Sequence, residues 1–133
     1  VLSPITMIAT DSVIQEGKGH PRTAGSYTKV LGRYVRERGE LSWLEAIKKM
    51  TIMPANRLST RTRAFLKKGR VNPGADADIT IFNPKTVIDR STYTDPTMPP
   101  EGIDHVIVNG IPVVSDGKLQ EAMRPGKGIL STD

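Results

Sequence analysis

Asp11 is the residue of this chain that its neighbours set up most clearly for chemistry. Ile5, Thr6, Met7, Ile8 and Ala9 form a short, mostly apolar run between Pro4 and a Gly-rich loop, Gly17-Lys-Gly-His20-Pro-Arg22. Such a run reads as a strand buried on both faces, the kind found in parallel sheets. Asp11 is then the carboxylate delivered at the strand's carboxyl end, where open α/β sheets and β/α barrels keep their reacting groups. The competing reading is a carboxylate that only caps a turn. Other chemistry is narrowly bounded. Cysteine is absent, which excludes disulfides and thiolate metal sites and fits a reducing, cytoplasmic location. The histidines are His20 and His105, with no His-x-His pair.

Charge offers a second kind of function. Residues 29–70 hold twelve Lys or Arg against three Glu, a net of +9, whereas residues 71–133 hold five against nine, a net of −4. A basic block of this size suits nucleic acid or an acidic protein surface. It equally suits the solvated face of two helices. From Arg57 to Arg70 the one interleaved aromatic is Phe65, so base stacking has little to work with and nucleic acid is not expected.

The elements that must position these groups fall into two kinds. Tyr27, Val30, Leu31, Tyr34 and Val35 recur at helical spacing, predicting an amphipathic helix from about Ser26 to Arg38 that lies against the opening strand and stops at Gly39. Ser42-Trp-Leu-Glu45 has capping-box spacing and opens a second helix, with Trp43, Leu44, Ile47 and Met50 as its expected buried stripe. Pro54 suits the first turn of a third, short helix to about Leu58. After Arg70 the period becomes alternating. Asn72-Pro73-Gly74 is a turn and Ala77 to Phe82 a strand; Thr86 to Tyr93 is undecided, and Pro96, Pro99 and Pro100 impose an extended loop. His105 to Val108, Asn109-Gly110 and Ile111 to Val114 make a β-hairpin with a type I′ turn, and His105 reads as structural. Asp116-Gly117 is a second tight turn, leading into a strand near Leu119 in the same sheet, and Pro112 must stand at an edge or have its amide position outside the ladder.

The fold class is therefore α/β over residues 1–70 and antiparallel β over residues 71–133. At 133 residues, 37% hydrophobic and 5% aromatic, the chain is long enough for one core, which will be aliphatic. No apolar run approaches the ~20 residues needed to cross a bilayer, and no signal peptide is recognised. The start without Met, on a core-like strand, reads as a fragment.

Several of these stretches together resemble a known family. Ile8-Ala-Thr-Asp11, His20-Pro-Arg22, Val30-Leu-Gly-Arg-Tyr-Val-Arg-Glu-Arg-Gly39, Met50-Thr-Ile-Met-Pro-Ala-Asn-Arg57, Pro73-Gly-Ala-Asp-Ala-Asp78 and Val108-Asn-Gly110 are similar, in order, to the C-terminal part of an amidohydrolase. The His-Pro-Arg loop and the Val87 to Tyr93 segment point more narrowly to the D-aminoacylases, or N-acyl-D-amino-acid deacylases. The resemblance implies the last strand and helices of a TIM-like barrel over residues 1–70 and strands of a small β-sandwich over 71–133. It implies zinc, with Asp11 as metal ligand and catalytic proton carrier, and Arg22 as the group that binds the α-carboxylate of an N-acyl amino acid. His20 shapes the loop. The departures are equally informative. A zinc site wants three or four protein ligands, and one carboxylate cannot supply them; Ser12 also replaces a frequent Gly. The chain by itself is expected to be inert, to bind no zinc, and to offer its barrel strand for self-association. A dihydroorotase-like cyclic amidohydrolase, and a non-catalytic module docking an acidic partner through residues 29–70, remain as alternatives.

Overall fold

Three tight turns with paired positive φ angles organise the strands. The computed structural model describes residues 1–11 and 13–130, and Ser12 lies outside the described residues. Strand β1 (Ile14–Gln15) folds back onto β2 (Lys18–Gly19) through Glu16 at φ 51° and Gly17 at φ 74°, so the loop expected there is a small hairpin. Further on, Asn109 at 48° and Gly110 at 79° join β4 (Ile103–Val108) to β5 (Ile111–Ser115), and Asp116 at 50° and Gly117 at 71° join β5 to β6 (Lys118–Leu119). With β3 (Ile79–Phe82) these make one antiparallel sheet in the order β3-β4-β5-β6, as the alternating pattern predicts. Pro112 faces Ile107 where the β4-β5 register shifts, a place where a missing amide costs no regular ladder bond.

The first helix begins earlier than its apolar spacing indicates. Helix α1 (Arg22–Lys29) starts directly after Pro21 and continues as π-helical turns over Val30–Glu37, where the Arg38 amide reaches the Arg33 carbonyl at 3.0 Å. Its stripe of Val30, Leu31 and Val35 is buried, whereas Tyr27 is 43% exposed. The same helical run meets the buried pair Val87 and Ile88 at Gly32, and the Arg36 guanidinium donates to the Val87 carbonyl at 2.5 Å. A Cβ on Gly32 would come within 2.7 Å of both Ile88 and the Val87 carbonyl, so the approach is that close because residue 32 has no side chain. Gly39, at φ 63°, ends the helical run as expected.

Helix α2 (Trp43–Met50) opens on the predicted capping box. The Ser42 amide and hydroxyl donate to the Glu45 carboxylate at 3.0 and 2.7 Å, and the Glu45 amide donates to the Ser42 hydroxyl at 3.2 Å. Its buried face differs from the predicted stripe. Leu44 is 77% exposed and Ile47 also exposed, while Ala46 and Lys49 are buried. A small residue and a long methylene stem can cover a surface that a count of apolar side chains would not select. Helix α3 (Ile52–Ser59) carries Pro54 as its third residue, still in the turn whose amides lack intrahelical partners, and a 3₁₀ turn follows at Arg63–Lys67.

The opening strand is the main correction. Residues 3–5 form a turn, with the Thr6 amide bonded to the Ser3 carbonyl at 3.2 Å, and residues 6–10 have no regular structure. Ile5 is 85% exposed. A two-faced buried strand needs a neighbour to complete its ladder and others to cover it, and no described strand pairs with this segment. The barrel-strand part of the α/β reading is thus not formed as a strand here, and α1 has no such strand to lie against.

Two compact units result. One comprises Val1–Ala46 and Asn83–Gly102, in which Ile88 and Glu101 form an isolated antiparallel bridge. The other comprises Ile47–Phe82 and the described residues from Ile103 onward. In the second, Asp78 accepts from the Asn109 amide at 2.8 Å, and the Lys68 ammonium sits 2.5 Å from Asp78 and 3.1 Å from Asp76. The Asn109 amide first, and then Lys68, hold the Asp78 carboxyl below its ordinary range; the Asp78 hydrogen bond in turn raises Lys68.

Candidate functional site

The β1-β2 hairpin ends at Gly19 and hands the chain to His20-Pro-Arg22, the start of α1. The loop and helix form one wall of a cavity of about 350 Å3. The other wall is the segment after the buried pair Val87 and Ile88, contributing Asp89, Ser91 and Tyr93. The walls are pinned together directly. The Ser91 hydroxyl donates to the Pro21 carbonyl at 2.8 Å, and Gly25 lets the segment come so near that an added Cβ would lie 2.5 Å from the Ser91 Oγ and 3.1 Å from the Asp89 Cβ.

His20 is engaged at both ring nitrogens. Its Nδ1 accepts from the Arg22 amide at 3.0 Å, which satisfies one of the helix's unpaired first-turn donors. Its Nε2 lies 3.2 Å from the Tyr93 hydroxyl, and the rings meet edge to face at 74° with centroids 5.1 Å apart. Arg22 and Lys29 line the same cavity, as does Asp89. One Asp89 oxygen, Oδ1, is buried without a hydrogen-bond partner among the described residues, with the Arg33 Nε 3.8 Å away. Two cations against one carboxylate that already has an ionic neighbour make this cavity suited to a small anion such as a carboxylate.

Asp11 is exposed and is not among the residues lining the cavity. It lies close by in the chain's path, since the hydroxyl of the preceding Thr10 donates to the Arg22 carbonyl at 3.1 Å. Arg22 and His20 are thus brought together, and Asp11 stays at the edge of their loop. Zinc asks for three or four donors. Among the described residues no group of three or more His, Asp or Glu stands close enough to hold a metal ion, so the donor set does not fit zinc by itself. His105 lies in β4 opposite Ile81, with its Nε2 3.8 Å from Asp116. Tyr93, Asp89 and Ser91 carry the far wall and Gly25 lets it approach the helix; the sequence alone gives none of them an individual role. The available signal was the Val87 to Tyr93 segment, similar to the family but with no role attached.

Residues 4–114 match the model of the amidohydrolase family. N-acyl-D-glutamate deacylase of Alcaligenes xylosoxydans xylosoxydans is 41% identical over 127 residues, 96% of this chain and 24% of that protein. D-aminoacylase of the same organism is 38% identical over 108 residues, 81% of this chain and 21% of that protein. The crystal structure of N-acyl-D-glutamate deacylase from Bordetella bronchiseptica, complexed with zinc and a phosphonate mimic of the tetrahedral intermediate, matches 89% of this chain and 25% of its own. Its TM-score is 0.77 at 38% identity. The chain spans about a quarter of the length of the curated relatives it matches.

Proposed function

The chain belongs to the amidohydrolase family, and on that premise we propose that it is the C-terminal part of a hydrolase that cleaves N-acyl-D-amino acids. Residues 1–70 would complete the hydrolase barrel and residues 71–133 supply strands of a small β-sandwich. The observation that carries this reading is the cation-lined cavity around Arg22, whose walls both fall within the family-matched span. Arg22 holds the substrate α-carboxylate, for which a planar two-pronged donor suits the geometry. Asp11 accepts a proton from the water that attacks the amide carbonyl and returns it to the leaving amine, so that one water is consumed and acid and amine are released. The reading includes zinc in the complete enzyme, with Asp11 among its ligands. The donor set of the described residues does not fit that ion alone.

The test uses the complete protein that carries these residues. It should hydrolyse N-acyl-D-glutamate, N-acyl-D-aspartate or neutral N-acyl-D-amino acids. Asp11→Ala should lower kcat by about a hundredfold or more, on the scale of a lost acid-base group, and Arg22→Lys should act mainly on KM. A protein that prefers cyclic amides, or that loses nothing on Asp11→Ala, would overturn the reading.

A further inference from the structure

We propose that Tyr93 is a specificity-determining residue of this site, donating its phenolic hydrogen to the same substrate carboxylate that Arg22 holds. The inference rests on the deacylase reading and goes beyond it to a residue far from Arg22 in the chain. The argument begins at His20. The Arg22 amide points at Nδ1, and an N–H can only donate to a ring nitrogen that carries a lone pair. The neutral imidazole therefore keeps its one hydrogen on Nε2. That nitrogen is 3.2 Å from the Tyr93 oxygen, so the ring donates and the phenol accepts.

The phenol's own hydrogen is thereby left over. Among the described residues the hydroxyl has no further hydrogen-bond partner, and Tyr93 lines the cavity that Arg22 and Lys29 also line. An O–H and a guanidinium lining one cavity can recognise a planar anion at two points, and the hydrogen bond accepted from His20 strengthens the donation. The edge-to-face ring contact holds the phenol in place before substrate arrives. His20 is then a positioning residue, fixing Tyr93 through one nitrogen and the Arg22 backbone through the other.

The experiment is Tyr93→Phe in the complete protein, assayed with an N-acyl-D-amino acid and with its carboxamide analogue as a competitive inhibitor. Losing a hydrogen bond to a charged group should raise KM for the acid roughly tenfold to a hundredfold, with kcat held within about twofold, while inhibition by the neutral carboxamide, whose carbonyl accepts only a neutral hydrogen bond, weakens by less than about tenfold. An unaltered KM, or equal losses for acid and carboxamide, overturns the proposal. Wild-type protein inactive on every N-acyl-D-amino acid would instead overturn the deacylase reading and this inference with it. Activity retained in the wild type beside an unaffected Tyr93→Phe enzyme overturns the role of Tyr93 alone.

Discussion

Gly25 shows how much of the cavity depends on an atom that is not there. Glycine inside a helix ordinarily costs about 1 kcal/mol relative to alanine, so Gly25→Ala would be expected to stabilise α1 if only the helix counted. Here the added methyl would stand 2.5 Å from the Ser91 Oγ. Residue 25 is buried, the Ser91 Oγ can swing away only by giving up its bond to Pro21, and the Asp89 Cβ stands 3.1 Å from the added methyl. The substitution should destabilise the protein by roughly 1–3 kcal/mol, the usual range for overpacking, and loosen the Ser91 to Tyr93 wall. Denaturant unfolding of Gly25→Ala reads the sign directly, and a raised midpoint would mean that the two walls are not in contact. No sequence rule marks this position: residues 25 and 91 become neighbours only after the chain has folded, and a glycine just ahead of a predicted helix looks like part of a loop.

At the scale of elements, legibility follows how local the determining interaction is. The capping box is contained within four residues, and Ser42 and Glu45 make the reciprocal bonds their spacing predicts. Ser42→Ala should therefore cost about 1 kcal/mol, with the loss visible as a lower thermal midpoint and as faster amide exchange in the first turn of α2. An unchanged exchange rate there would sink the capping account. The Asn109-Gly110 hairpin is legible for the same reason, because two adjacent residues meet the backbone requirement themselves. Glu16-Gly17 makes a similar turn with a residue that seldom adopts positive φ, and the β1-β2 hairpin was correspondingly invisible. The face of α2 and the run from Ile5 to Ala9 depart from expectation for a different reason. Their hydrophobicity states that something should cover them, and burial of Ala46 and Lys49 beside an exposed Leu44 shows that which side is covered is decided by the partner.

For the molecule as a whole, the residues are so basic that acid should destabilise it, and the share of one carboxylate can be isolated. With nineteen Lys and Arg against fourteen carboxylates, protonating Asp and Glu leaves the positive charge uncompensated. Asp78 is the carboxylate that ties most distant parts of its unit together, holding Lys68 from one side and the hairpin turn at Asn109 from the other. Its carboxyl is held low in the folded protein by the Asn109 amide and then by Lys68. A depressed folded value means that the stabilisation is fully present above the ordinary carboxylate range, near pH 4, and disappears as pH falls through the folded value. Glu37 and Glu101 are lowered as well, by Arg33 and Arg90, so acid sensitivity of the wild type alone would not identify the residue responsible. Asp78→Asn separates them. The amide keeps the shape and an oxygen for the Asn109 N–H but loses the charge that binds Lys68. The substituted protein should be less stable than the wild type by a constant margin from neutrality to about pH 5, and the margin should shrink below about pH 4 as the wild-type carboxyl takes up its proton. Chemical denaturation of both proteins at several pH values measures that margin. A difference that does not change with pH would show that Asp78 acts through its shape and hydrogen bonds alone, and that the acid lability of this basic chain resides elsewhere.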